Sequence, residues 1–487
     1  MELIRNCMVC KRLRKLFFGH VQGGTSAPVF IRHGNRNETL PPERGGNRFF
    51  AFPSLDVPLD TNECFVAFGV PMGGIGRTAM SLVRIILAAT GICSSFAVAS
   101  RGADAGTEWP GFRGPAADGM SAEKGINKDW KAKPPREIWR LDLANKGYSG
   151  PSVAEGKVFI IDRNGNQDVV RALALANGKQ VWEFAYPEET GDNYGFARAT
   201  PVYDGGRLYT LSAGGKVHCL NAADGKPIWN AHLQQQMGGR LPEWHYSMSV
   251  LVDGDVAVVC PGASGGSVVA LNKADGRKIW SGGSDIAGYA TPVSATLQNV
   301  KQYVIFGGTS LFGLEASSGK PLWQVPWKTQ YDVNAATPIV LGNSVFITSN
   351  YGRGCALVDV AAGGAKIRWE NKEVQAHFNT PIFFQGNLYA TSDPNKLVCL
   401  DPQTGAARWT QKGFGKGGLV GVDGTLIGVD GVTGEAIMAA LDPTAYKELG
   451  RIAVLKGGQK KYWTAPIVAG GKLILRDLAT LVCLDLK

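Results

Sequence analysis

Few residues in this chain have the types and spacings that chemistry demands. Cys7-Met-Val-Cys10 is a CxxC pair, but a zinc site needs a second ligand pair and a thioredoxin-like site needs a βαβ frame. Neither accompanies it. Asp162-Arg-Asn164-Gly-Asn166-Gln-Asp168 alternates oxygen-bearing side chains as a calcium loop does. An EF-hand would then require Gly at the sixth place and Glu at the twelfth, where this chain has Gln167 and Leu173. Asn164-Gly165 reads instead as a hairpin turn. His218, His232, His245 and His377 stand alone, without the HxH or HExxH spacing of a zinc enzyme. Gly73-Gly-Ile-Gly-Arg lacks the strand and helix of a dinucleotide fold, and neither a GxSxG elbow nor a kinase signature occurs. The expectation is therefore no metal, no cofactor and no catalytic residue.

What the chain does hold is the material of many short strands. It has 64 glycines and 12 tryptophans in 487 residues, with 44% hydrophobic and 19% charged residues. Frequent Gly turns and recurring aromatics suit repeated β-hairpins. The formal charge of +10 could attract an anionic partner. However, the basic residues are dispersed, and the densest group is Lys11, Arg12, Arg14 and Lys15. Without a basic helix or an RNA-binding aromatic signature, nucleic acid is not an expected partner.

One pattern recurs along the chain. A small residue starts it, a Gly turn follows, and a Trp closes it ten positions on: Ala172 to Trp182, Cys219 to Trp229, Ala270 to Trp280, Gly313 to Trp323 and Cys399 to Trp409. A copy around Asp359, Gly363 and Trp369 carries a short insertion. Another, Ala440 to Gly450, is read as keeping the spacing while losing the Trp. A second pattern, a Thr-Pro-like start and an alternating strand, precedes each copy, as in Thr200-Pro-Val and Thr380-Pro-Ile. Others start at Gly150, Thr291, Thr337 and Ala465, with Met248 and Gly417 filling the two gaps. Each unit of about 40–50 residues has the size of a four-stranded propeller blade. The last unit stops at Asp485 before its Trp strand, and Arg136-Glu-Ile-Trp139 supplies that strand from the other end. The sequence thus predicts an all-β, eight-bladed β-propeller of four-stranded blades over 136–487. An N-terminal strand completes the C-terminal blade and hides two strand edges.

The Gly turn with its terminal Trp resembles the tryptophan-docking motif of PQQ-like propellers. That family includes quinoprotein dehydrogenases and the outer-membrane assembly factor BamB. The leader Trp109-Pro-Gly-Phe-Arg-Gly-Pro-Ala-Ala-Asp-Gly resembles the opening of secreted bacterial members. The resemblance makes Trp139, Trp182, Trp229, Trp280, Trp323, Trp369 and Trp409 structural inter-blade residues, as their fixed register also suggests. A PQQ-dependent dehydrogenase of the family would carry adjacent cysteines, and this chain has none. The expected function is a non-catalytic protein-binding scaffold of the cell envelope, monomeric and resembling BamB. The alternative is a PQQ- and calcium-dependent alcohol or sugar dehydrogenase. Cys219, Cys399 and Cys483 fill the small-residue slot in separate blades and are too far apart to pair. Cys260 and Cys355 fall in non-neighbouring units and read as free.

In a propeller, the loops entering the innermost strands crowd around one mouth of the central channel. Those loops carry Tyr148, Arg198, His245, Tyr246, Tyr289, Asn334, His377, Phe378, Tyr462 and Trp463. Such a composition suits recognition. The insertion 230–244 is a further candidate contact surface.

Met80 opens a different pattern. Arg84 precedes an apolar run from Ile85 to Val98, and both Ala97-Val-Ala99 and Ala103-Asp-Ala105 offer small-x-small cleavage sites. This is the order of a secretory signal, too short for a good membrane span. Ile92 before Cys93 argues against lipidation. The reading is an export signal over 80–105, a leader over 106–135 packed on the propeller, and residues 1–79 as a non-native or disordered N-terminal extension. The mature protein is expected to be periplasmic or extracellular, without a membrane span.

Overall fold

The computed structural model describes residues 108–487, apart from 145–146, 191–194 and 458–459. The CxxC pair, the Gly73 motif, the export signal and the 1–79 extension lie outside the described residues. The described residues form eight sheets of four antiparallel strands, one for each predicted unit and one of them extended by a short parallel strand of the leader, in an eight-bladed β-propeller. Blade 1 runs outward from Ser152–Ala154 through Lys157–Asn164 and Gln167–Ala174 to Gln180–Pro187. Each later blade repeats this order, and in every blade but the seventh a Trp falls in the outermost strand. Blade 8 comprises Ile467–Ala469, Lys472–Arg476 and Thr480–Asp485, completed by Arg136–Asp142 with Trp139 opposite Cys483. The ring is closed by its own N-terminal strand, as its broken last repeat implies. Among the described residues no helix is long and apolar enough to cross a membrane.

The repeat residues hold the blades to one another. Trp229 Nε1 donates to the carbonyl of Lys273 in the next blade at 3.0 Å, and Trp182 does the same to Ala222 at 3.1 Å. The ring then lies on the next blade's turn glycine. At Gly276 (φ +74°) a Cβ would meet the Trp229 ring at 2.7 Å, so both backbone and space exclude a side chain. Trp139, Trp280 and Trp369 dock in the same way, on the carbonyls of Leu175, Ala316 and Pro402, while Trp409 donates to Asp442 O of a turn without glycine and meets the Tyr446 ring at 5.9 Å. Trp323 differs. Blade 5 replaces the motif turn with a tight hairpin between Ala361 and Gly364, and Trp323 turns to Gln302 Oε1 of its own blade at 2.6 Å.

The Thr-Pro starts form a second, inner seam. Thr200 N donates to Ser249 Oγ, Ser249 N to Thr291 Oγ1, and Thr337 N to Thr380 Oγ1, at 2.8–3.0 Å. A hydroxyl at that register satisfies an amide that no strand of its own sheet can reach. The five cysteines among the described residues, Cys219, Cys260, Cys355, Cys399 and Cys483, are free and buried. Burial pushes the Cys219 and Cys399 thiols up to about 11 and those of Cys260, Cys355 and Cys483 to about 12, which suits apolar filler.

Blade 7 corrects one register. Gly450 pairs with Met438, not with Ala440, so this turn is two residues longer than the motif. The missing Trp is replaced from outside the repeat. Trp130 of the leader is buried, its Cβ would lie 2.6 Å from any Cβ at Gly450, and its side chain joins the core shared by blades 7, 8 and 1.

Candidate functional site

Successive strands of each blade are antiparallel, so the two mouths of the channel are chemically distinct. One face gathers the turns after the innermost strands. The leader lies against the inner strands on this side. Trp109 bridges Val153 of blade 1, Pro110 O accepts from Tyr203 N of blade 2, and Met120–Ser121 pairs in parallel with Leu419–Val422 of blade 7. Arg113 reaches across to the carbonyls of Thr380 and Pro381 at the start of blade 6, at 3.1 and 2.9 Å. Further along, Gly125 N donates to Asp423 and Glu123 accepts from Gly471 N, both in turns of this face. The motif around Trp109 thus supplies contacts to four blades.

The opposite face gathers the loops entering the innermost strands together with the turns between second and third strands. Here the sequence-predicted residues separate into three groups. Tyr148, His377, Phe378 and Trp463 come together. Tyr148 stacks on Trp463 with centroids 5.4 Å apart and planes 14° from parallel, Phe378 lies 5.1 Å from Trp463, and His377 lies 4.9 Å from Phe378. The chain of rings continues through Tyr351 and Tyr331, at 5.0 Å each. Arg198, His245 and Tyr289 lie in a second sector around Trp244. Arg198 donates to Trp244 O at 2.6 Å, and Trp244 N donates to Tyr289 Oη at 3.2 Å. His245, next to Trp244 in the chain, is partly buried.

The third group lies inside. Asn334 is fully buried, and its amide clamps the carbonyls of Gly307, Gly308 and Trp327. Tyr246 is buried with its hydroxyl on the carbonyls of Arg240 and Pro261. Tyr462 is buried in the blade 7–8 core. These three hold loops in place and do not line the mouth. In the 230–244 insertion, a short helix, Leu233–Met237, buries Leu233 against the blade and ends at Gly238, while Leu241 is exposed.

Beside the aromatic chain is a shallow cleft, too tight to enclose a water molecule, lined by His377, Phe378, Asn379, Thr391, Asp393, Gly415 and Lys416. Lys416 Nζ lies 3.6 Å from Asp393 and 5.8 Å from the Trp463 ring, and Lys461 Nζ lies 5.9 Å from the same ring. Burial, aided by Lys416, pushes His377 down to about 3. The imidazole is therefore neutral, and its 3.8 Å approach to Asp393 is not an ion pair. Asn350 donates to Asp393. Burial raises the Asp393 carboxyl, against the pull of Lys416. The cleft offers aromatic surface, one amine and amide groups, with no nucleophile–base pair.

Tyr331, Tyr351, Asp393 and Lys416 escape a reading confined to residues just before each Pro-like start. Tyr351 and Asp393 lie in turns between second and third strands, which antiparallel pairing returns to the same face. That topology was a signal available in the repeat. The carboxylates of the calcium-like stretch are engaged by arginines: Asp162 by Arg171 at 3.2 Å and Asp168 by Arg163 at 3.1 Å. Asn164 pairs with Gln167 across a tight hairpin.

These features define an eight-bladed propeller of tryptophan-docked repeats with an aromatic mouth. The sequence model of the family described as outer membrane protein assembly factor BamB matches residues 128–192 and 166–411, and the chain belongs to this PQQ-like propeller family. The outer membrane protein assembly factor BamB of Moranella endobia (strain PCIT) is 24% identical over 312 residues, spanning 57% of this chain and 72% of that protein. The crystal structure of BamB from Moraxella catarrhalis superposes with a TM-score of 0.52 at 16% identity, over 72% of this chain and 99% of the other. A europium-containing methanol dehydrogenase gives 0.57 at 14% identity, over 77% and 90%. Likeness at those identities is a likeness of fold alone.

Proposed function

We propose that this protein is a non-catalytic, exported scaffold of the cell envelope that binds other proteins through the aromatic mouth. The observation that carries the reading is the family match across 128–411. The mouth supports it chemically. Partly exposed rings held by loop-to-loop contacts resemble the rigid aromatic anchors of protein interfaces, and the cleft lacks an arrangement that would move a proton or form a bond.

Titration of the purified protein with PQQ and calcium tests the reading against a quinone-dependent oxidoreductase. The scaffold reading expects no saturable quinone binding and no dye-linked oxidation of alcohols or sugars. Binding accompanied by oxidation would overturn it. Affinity capture from the cell envelope tests the other side: a specific protein partner is expected, and recovery of none contradicts the proposal.

A further inference from the structure

The aromatic chain has a direction and an uneven charge. Six rings, Tyr331, Tyr351, His377, Phe378, Trp463 and Tyr148, touch in sequence at 4.9–5.4 Å. They span loops that belong to both halves of the ring. Their contour of about 25 Å is the length of some seven residues of extended chain. The four loops 327–338, 372–381, 413–418 and 454–466 hold six lysines against two carboxylates, Asp332 and Glu373, and Asp393 of the adjoining turn lies 3.6 Å from Lys416. Four of those lysines, Lys416, Lys456, Lys460 and Lys461, belong to the two loops at the Trp463 end, where Lys416 and Lys461 approach the indole. Asp332 follows Tyr331 at the far end, and Glu373 precedes His377 by four residues.

We propose that this arc is a groove for an extended acidic polypeptide segment. Its carboxylates lie by the lysines at Trp463, and its apolar side chains face the remaining rings. An extended chain turns alternate side chains to one side, so one face can lie on the rings while the other remains in water. The charge distribution favours polypeptide over single-stranded nucleic acid, whose phosphates require basic groups along the whole groove. Here four of the six lysines gather at the Trp463 end, whereas the other two loops each set one lysine, Lys328 or Lys372, against one acid, Asp332 or Glu373. The inference rests on the scaffold reading and assigns it a ligand chemistry.

Fluorescence anisotropy of labelled seven-residue peptides on the intact protein tests it. A peptide alternating Phe or Leu with Glu should bind saturably, at least tenfold more tightly than its Lys-for-Glu counterpart, and should weaken as salt rises. Lys416→Ala/Lys461→Ala and, separately, Phe378→Ala should each weaken it at least tenfold. Lys461→Ala alone, which leaves the Lys416–Asp393 ion pair in place, guards against a folding defect, with melting temperature as the control. Equal binding of both peptides, no saturable binding, or equally tight binding of an oligodeoxythymidine of matching length overturns the proposal. A captured envelope partner that an excess of the acidic peptide does not displace would remove this inference and leave the scaffold reading standing. Capture of no partner would remove the scaffold reading itself.

Discussion

Gly276 and Gly254 have similar backbones and opposite surroundings. Both have positive φ, +74° and +58°, but a Cβ at Gly276 would strike the Trp229 ring at 2.7 Å, whereas one at Gly254 meets nothing within 4 Å. Gly254→Ala should therefore cost only the left-handed backbone penalty, about 1–2 kcal/mol. Gly276→Ala should cost more, because Trp229 must leave its carbonyl. Equal melting temperatures for the two variants would contradict this account of the docking turn. The histidines set a pH dependence. Burial first, then Lys216, pushes His218 down to about 4, and burial pushes His377 to about 3. Their unfolded values lie near 6.5, so the unfolded chain binds more protons below that pH. The histidine contribution to stability should then fall as pH drops from about 6.5 toward 4, by at most about 1.4 kcal/mol per unit for each histidine, partly offset by Asp168, whose carboxyl burial raises to about 6. Denaturant midpoints at pH 7 and pH 5 check the slope, and His218→Gln should flatten it. The docking tryptophans were legible in the sequence because their spacing repeats. Asn334, Tyr246 and Tyr462 occupy the same nominal register as the mouth residues, but loop geometry turns them inward, and spacing alone does not encode that direction.

At the scale of elements, the leader and blade 7 explain each other. Blade 7 has Gly450 where other blades have Trp, and Trp130 stands over that glycine. The loss of a Trp was readable from the repeat. Its replacement was not, because Trp130 lies outside the periodic region and its contact is long-range. Trp130→Ala should destabilise the protein by about 3–5 kcal/mol, as for other buried aromatic truncations. A melting temperature unchanged within a degree would show that the leader is dispensable to the core. Gln302 offers a comparison. It accepts from Trp323 at 2.6 Å, a bond inside one blade. Gln302→Leu should affect stability without loosening the contact between blades 4 and 5, which rests on the apolar cluster containing Trp323, Val345 and Val358.

At the scale of the whole molecule, the broken last repeat made the ring legible. A unit that ends before its outer strand, and an orphan copy of that strand before the first unit, admit one closed arrangement. The pairing of Arg136–Asp142 with Thr480–Asp485 realises it. Trp139→Ala should weaken the closure itself, by about 3–5 kcal/mol, and lower the midpoint of global unfolding. The two unlike mouths were only half legible. The loop positions pointed to one face, while the leader contacts at the other depend on a non-periodic segment finding free inner-strand edges. The central claim is that the aromatic mouth is where a protein partner binds. Its most direct test is photocrosslinking in cells, with the reactive group placed at Phe378 and, as a control, at Asp255 in an exposed turn of the opposite face. The account predicts a discrete adduct with an envelope protein from position 378 and none from 255. Adducts only from position 255, or from neither, would contradict it.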